Sequence, residues 1–390
     1  MRKLLIILSV AFLSCNIFSQ ASTSNILILP QGDPLGELNG LGSSGLVNKT
    51  SNIGFINPAA LSNFNKISLG FSYEFENKLA DTWIAPDIGL KRDASFIPQS
   101  VGFIYPIGNF RAGLAMAQGY NGGYDLGLVS VTNAQNPNGT GEYVDQTEKK
   151  ILYKYSVIAS YSFGDIIEGS RLSIGGRFNI NRMTDKLAPI EMIFGGNNWA
   201  AGLTFRKNLD ENKYFQAGLF FVKNASLDLK ETKGPGLLVT PTQGDSSRPP
   251  SYYTVTTNYK AEFPSKLRLD FDLSLLSNVK ILGSVAEVFW YSVDPVNSDQ
   301  MEFAGSVVYK FSEIISSSVG FITSQKKYDE SQIYYASYKT NDNLRALFLT
   351  LGAEVNISNF VVDVSLADGH LFSGDWRKQT IGKIGVGYSL

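Results

Sequence analysis

"KISLGFSYEFE", residues 66–76, sets Ile67, Leu69, Phe71, Tyr73 and Phe75 on one side of an extended chain and Ser68, Gly70, Ser72 and Glu74 on the other. Strict alternation of this kind is the mark of a strand with one apolar and one polar face. The pattern recurs along the chain. "YKYSVIASYSF" aligns Tyr153, Tyr155, Val157, Ala159, Tyr161 and Phe163, and "RALFLTLGAEV" aligns Leu347, Leu349, Leu351, Ala353 and Val355. Fourteen segments read this way, near 66–76, 96–105, 110–118, 151–163, 171–182, 197–206, 214–229, 251–274, 280–291, 301–311, 315–323, 344–355, 360–367 and 378–390. The eighth is interrupted by Pro264. Most of the others have the length, about 9–13 residues, that a tilted strand needs to cross a bilayer core.

The links between segments alternate. Short ones such as "PIGN", "LLSN" and "NISN" are followed by long ones, at 77–95, 119–150, 183–196, 230–250, 292–300, 324–343 and 368–377. Short turns on one side and long loops on the other are the arrangement of outer-membrane barrels, with the short turns periplasmic. Charged strand residues fall mostly on the polar face: Lys154, Arg177, Arg268, Asp270, Asp272, Lys310, Glu354 and Asp363. A lysine or arginine facing lipid at mid-depth would cost about 2–4 kcal/mol. A water-soluble β-sandwich also alternates, but it seldom runs to fourteen long strands. The expected fold is therefore all-β, a fourteen-stranded antiparallel transmembrane β-barrel over residues 66–390, in the outer membrane of a Gram-negative bacterium.

Composition agrees. Charged residues are 18% of the 390-residue chain and aromatics 12%, and there are 37 glycines. "MRKLLIILSVAFLSCNIFSQAS" begins with Arg2 and Lys3, and an apolar core runs from Leu4 to Leu13. It reads as a signal peptide, residues 1–19, too short to span a membrane as a helix. Lipidation at Cys15 is the alternative, although Phe12 and Leu13 stand where a lipoprotein signal prefers Leu and a small residue. Cys15 is the sole cysteine, so no disulfide framework or thiolate metal site is expected. Without Arg2 and Lys3 the chain has 32 basic and 35 acidic residues, a net charge of −3, and no basic field for nucleic acid. His370 is the only histidine and falls in an expected loop. No catalytic constellation, metal site or cofactor motif is visible, and an enzyme is not expected.

Residues 20–65 precede the first strand and lack alternation. They contain the glycine-rich "GELNGLGSSG" and then "NIGFINPAALSNFNK". Asn57 suits a helix N-cap and Pro58 the first helical position, where a missing N–H costs nothing. The neighbouring apolar residues Phe55, Ile56 and Leu61 need somewhere to pack. A fourteen-strand lumen is too wide for its wall side chains to fill. The segment is therefore read as a plug inside it; a periplasmic or solvated tail is the alternative.

"GLGSSGLVNKTSNIGFINPAALSNF" resembles the N-terminal hatch of the FadL family of outer-membrane transporters, with Asn57, Pro58 and Ala59 as the hatch motif. "FIPQSVGFIYPIGNFRAGLAMAQGY" resembles that family's second and third strands, and "EFPSKLRLDFDLSLLSNVKILGSVAEVFWYS" a later pair. The resemblance implies a monomeric, hatched barrel that takes up hydrophobic small molecules such as long-chain fatty acids and releases them sideways through a kink in the third strand. Gly113 is the candidate for that kink. Arg177 and Lys154 are candidates for contacts to a ligand carboxylate, with lumen electrostatics as the other reading. Expected partners are outer-membrane lipid and lipopolysaccharide. The alternative function within the same resemblance is a PorV-like barrel that shuttles cargo for a secretion machinery; a polar-solute channel is the third reading.

Overall fold

The computed structural model describes residues 26–28, 37–46, 49–80, 91–130, 141, 143–164, 166–187, 190–210, 213–233, 237–239, 251–253, 259–293, 299–325, 345–369 and 379–390. The expected signal peptide, Cys15 and His370 lie outside them. Among the described residues there are nineteen strands. They are β1 (Ile26–Ile28), β2 (Ser68–Ala80), β3 (Lys91–Ile107), β4 (Phe110–Ser130), β5 (Tyr143–Phe163), β6 (Ser170–Leu187), β7 (Ile190–Asp210), β8 (Lys213–Val222), β9 (Ala225–Lys233), β10 (Leu237–Val239), β11 (Ser251–Tyr253), β12 (Lys260–Phe263), β13 (Ser265–Leu276), β14 (Val279–Phe289), β15 (Gln300–Lys310), β16 (Ile315–Gln325), β17 (Arg345–Ile357), β18 (Phe360–Asp368) and β19 (Gln379–Ser389).

Two pairs of these are single barrel strands with an interruption. Val222 of β8 pairs with Lys266 of β13, and Ala225 of β9 pairs with Phe263 of β12 in the same register. β8 continues as β9 past Lys223 and Asn224; β12 continues as β13 past Pro264. Proline has no N–H to give to a ladder, so the interruption falls there. Counted so, fourteen antiparallel strands form the wall, and β19 pairs with β2 to close it. The closing ladder runs from Gln379↔Lys78 to Ser389↔Ser68, and Leu390 N donates to Ile67 O. Each of the fourteen segments read from the sequence corresponds to one of these strands.

The burial pattern is inverted relative to a water-soluble protein. Val157 is 60% exposed, Leu351 57% and Leu69 51%, whereas Asp270 is 0% and Arg268 2% exposed. Apolar side chains point outward all round the barrel and charged ones point into the lumen. An outward surface of this kind is stable against hydrocarbon, not water. Aromatic pairs on it include Tyr161 with Phe163 (5.0 Å between ring centroids) and Phe360 with Tyr388 (4.7 Å), near the short-turn end.

Lengths depart from expectation on the long-loop side. β4, β5 and β7 have 21 residues each. At about 3.3 Å per residue each reaches about 70 Å along the strand, well past a bilayer core even when tilted. The link expected at 183–196 is therefore mostly ladder: β6 and β7 pair from Ser170↔Lys207 to Leu187↔Ile190. Polar residues such as Asn181 and Asp185 still alternate there, but without the outward apolar stripe that marks the membrane-level part. The expected eighth segment began at 251; residues 251–253 instead pair with β10 in a separate two-stranded hairpin.

Candidate functional site

Residues 37–46 and 49–64 lie against the inward face of the wall. Gly40 N donates to Asp363 Oδ1 of β18 (3.0 Å), and Gly45 N to Asp270 Oδ1 of β13 (3.0 Å). Ser318 of β16 donates to Gly40 O (3.0 Å) and Ser306 of β15 to Leu41 O (3.1 Å). Lys49 forms an ion pair with Glu354 of β17, and Glu37 with Arg268 of β13. Arg171 of β6 donates to Ser62 O (3.3 Å) and Arg111 of β4 to Phe64 O. Buried backbone groups need partners, and here the wall's charged side chains supply them to a segment with little secondary structure of its own.

Apolar contacts complete the seat. Leu46, Ile53, Ile56, Ala60, Leu61 and Phe64 pack with Ile104, Ala115 and Ile158 of β3, β4 and β5. Ile56 and Leu61 are fully buried, while Phe55 is half-buried and stands outside this cluster. Pro58–Asn63 form a 3-10 helix capped by Asn57, whose Oδ1 accepts from Ala59 N (3.0 Å). The Asn57 amide also donates to Leu203 O of β7 (3.3 Å) and Leu219 O of β8 (3.0 Å). It can come this close because the wall beside it is glycine. A Cβ on Gly202 would collide with Asn57 Oδ1, and one on Gly175 with the backbone of Pro58 and Ala59. The Asn-Pro-Ala motif is thus both a cap and a wall contact.

Arg177 belongs to this seat. Its Nη1 donates to Gly54 O (2.5 Å) and Ile56 O (3.2 Å), and its guanidinium lies over the Phe220 ring (5.4 Å). These bonds tie it to the inner segment. Gly113 likewise faces Leu61, whose Cδ2 would stand 3.1 Å from an added Cβ. It sits in unbroken ladders with Ile104 and Ile158, so the chain is not kinked there.

The irregularity lies further along the same strand. β4 shifts register between Gln118 and Tyr120, with Gly119 as the extra residue, and again between Asp125 and Leu128. β3 and β4 pair from Ile107↔Phe110 only to Ser100↔Ala117. Beyond that level β3 continues to Lys91 against β2, and β4 to Ser130 against β5, but they no longer pair with each other. Among the described residues the wall therefore has an unpaired seam between its second and third strands. Inside the barrel next to the seam is a buried apolar cluster of Leu152, Met183, Ile190, Met192, Phe194, Ala225, Leu227, Ala261 and Phe263, with Tyr120, Leu229 and Tyr259 against it. It lies on the long-loop side of the inner segment.

Lys154 stands between cluster and seam. It pairs in register with Ala117 and Asn181. Its stem lies over Gly119, where an added Cβ would meet Lys154 Cε at 2.5 Å. Among the described residues it has no hydrogen bond or ion pair, unlike the lumen lysines Lys49, Lys266 and Lys383. The buried Gln118 Nε2 and Asn181 Oδ1 nearby are also without partners. The seam and the apolar cluster were not readable as a site from the sequence; Gly119, just past the alternating run 110–118, was the available signal.

No protein-family model and no curated protein sequence matches the chain. Solved structures do. The toluene transporter TodX of Pseudomonas putida superimposes with a TM-score of 0.57 at 14% identity, over 94% of this chain and 99% of that one. A FadL homologue of Pseudomonas aeruginosa gives 0.56 at 13% identity, over 93% and 99%. The toluene transporter TbuX of Ralstonia pickettii gives 0.54 at 13% identity, over 92% and 99%. The fold of this chain is that of FadL-type hydrocarbon channels.

Proposed function

We propose that the chain is an outer-membrane channel of a Gram-negative cell. It takes up hydrophobic small molecules, long-chain carboxylic acids among them, and releases them sideways into the bilayer. The observation that carries this is the seam between β3 and β4 opening beside a buried apolar cluster, with the direct path to the short-turn end filled by residues 37–64. A molecule that reaches the cluster has apolar contacts there and an apolar exit through the wall. Residues 37–64 act as a hatch: the charged fastenings around the wall oppose its leaving. Similar folds serve toluene in the relatives named above, which supports the apolar cargo. Lys154, with Gln118 beside it, supplies a cation and a donor that an acid's carboxylate can use and a hydrocarbon cannot.

Uptake of radiolabelled oleate and toluene by cells carrying the channel, against cells without it, tests the reading. Gly119→Trp sets a ring between the seam and the cluster, and its near contacts are the side-chain ends of Lys154 and Leu152 and not backbone, so the barrel can still form. Uptake of both probes should fall to the background of cells without the channel. Lys154→Met should lower oleate uptake roughly tenfold, the effect of losing about 1.4 kcal/mol, and leave toluene unchanged. Equal uptake with and without the channel would end the transport reading. Equal loss of both probes in Lys154→Met would end the carboxylate role.

A further inference from the structure

Between the apolar cluster and the inner segment the lumen wall carries two levels of polar side chains. On β5 the inward residues are, in order, Leu152, Lys154, Ser156 and Ile158. Facing them in register on β6 stand Met183, Asn181, Asn179 and Arg177, and next on β7 Phe194, Gly196, Asn198 and Ala200. Leu152, Met183 and Phe194 belong to the apolar cluster, and Ile158 packs with the inner segment. The two middle levels are therefore a polar belt with apolar contacts above and below. Buried polar groups need hydrogen-bond partners, and the belt supplies most of its own.

Its asparagines form one chain of bonds with a fixed direction. Asn198 Nδ2 donates to Lys223 O (2.8 Å). A backbone carbonyl only accepts, so Asn198 turns its nitrogen that way and its Oδ1 back into the belt. That oxygen accepts from Asn179 Nδ2 (2.9 Å) and from Asn181 Nδ2 (3.1 Å). Asn179 Oδ1 in turn accepts from Ser156 Oγ (2.8 Å). Asn181 Oδ1 is left over. The residue is 2% exposed, and this oxygen has no hydrogen-bond partner among the described residues. The Lys154 stem leans the other way, toward β4, where its Cε and Cδ lie over Gly119. The belt thus holds an unmatched cation and an unmatched neutral acceptor on opposite sides of one strand, β5.

We infer that this belt is the head-group site for a long-chain acid that carries a hydroxyl close to its carboxylate, a 3-hydroxy acid being the simplest. This deepens the uptake reading above and rests on it. The carboxylate lies at Lys154 and the hydroxyl donates to Asn181 Oδ1. The head then crosses the inward face of β5, and the tail lies among Leu152, Met183 and Phe194. Asn179, Asn198 and the Lys223 carbonyl are positioning groups: they keep Asn181 presenting its oxygen. A plain carboxylate has acceptors only. It satisfies Lys154 and leaves Asn181 Oδ1 unmatched, and a site built to bond a hydroxyl discriminates against the analogue that lacks it. An ammonium in place of the hydroxyl would meet Lys154 as a like charge, so the donor has to be neutral.

Calorimetric titration of the full chain in mild detergent, with tetradecanoate and with 3-hydroxytetradecanoate, tests this without requiring transport. The hydroxy acid should bind roughly tenfold tighter, the effect of one further hydrogen bond. Simple partition into an apolar site or into the micelle gives the opposite order, because a hydroxyl makes the acid less apolar. Asn181→Leu removes the acceptor and leaves Asn198 Oδ1 its bond from Asn179, so the belt can still form. In that variant the ratio of the two affinities should fall from about ten to about one. Equal binding by the parent, or tighter binding of tetradecanoate, would overturn the proposal. So would a preference that survives Asn181→Leu, since the hydroxyl would then be met elsewhere. If neither acid binds, the proposal fails, and toluene uptake measured on cells shows whether the uptake reading fails with it.

Discussion

At the scale of single residues, the wall glycines decide what the lumen can hold. Gly202 and Gly175 allow Asn57 and Pro58 to reach the barrel backbone, whereas an added Cβ at Gly176, on the outward face, meets nothing. Gly202→Ala should therefore unseat the Asn57 turn and raise single-channel conductance in planar bilayers, while Gly176→Ala leaves it unchanged. Asn57→Ala should lower stability by about 1–2 kcal/mol through loss of the cap, read as an earlier heat-modified gel shift than the parent. Asn57 and Pro58 were recognisable from sequence because capping is local. Their contacts to Leu203 and Leu219 were not, since these lie 146 and 162 positions from Asn57. For the same reason Arg177 looked available to a ligand: its pairing with the carbonyls of Gly54 and Ile56 depends on where the N-terminal segment folds.

At the scale of elements, period-two alternation identified each barrel strand because lipid on one side and a polar lumen on the other impose it. The same rule predicts that Val157→Arg, a charge on the lipid face, costs about 2–4 kcal/mol and reduces the fraction of chain assembled into the membrane. Alternation fades where strands rise beyond the bilayer, which is why the hairpin joining β6 and β7 read as a loop. The β3–β4 seam was silent in the sequence for a further reason. A strand's side-chain pattern reports its faces, and a missing neighbour affects its edge. Hydrogen exchange can see edges. The seam-directed amides of β3 residues 91–99 should exchange much faster than those of 101–104, which pair on both sides. Uniform protection along β3 would mean that the seam is closed in the membrane.

At the scale of the whole molecule, inner segment and wall form one packed body. Deleting residues 37–64 removes the inner-segment partners of Asp270, Asp363, Glu354 and Arg177 together and opens these charges to a water-filled lumen. The variant should conduct ions in planar bilayers where the parent does not, and its barrel should unfold at lower temperature in detergent. A parent that already conducts as well as the deletion would show that the segment does not obstruct the pore.

The closing ladder of β19 on β2, with Leu390 bonded to Ile67, has a consequence for how the molecule comes to exist. Gly40 is held by Asp363, 323 positions away, and Ser68 meets Ser389 across the same joint. Contacts of such separation make for slow folding, and here they are also sequential. The first part of the chain cannot find its seat until the last two strands exist. The cylinder, once joined, leaves no easy way in for a segment bristling with backbone groups that need charged partners. Assembly therefore has to bring the sheet round the segment, with the ends of the chain meeting last. A late arrest of that process would leave the edges of β2 and β19 unpaired, a form that a membrane-insertion machinery can distinguish from the finished barrel by its open backbone.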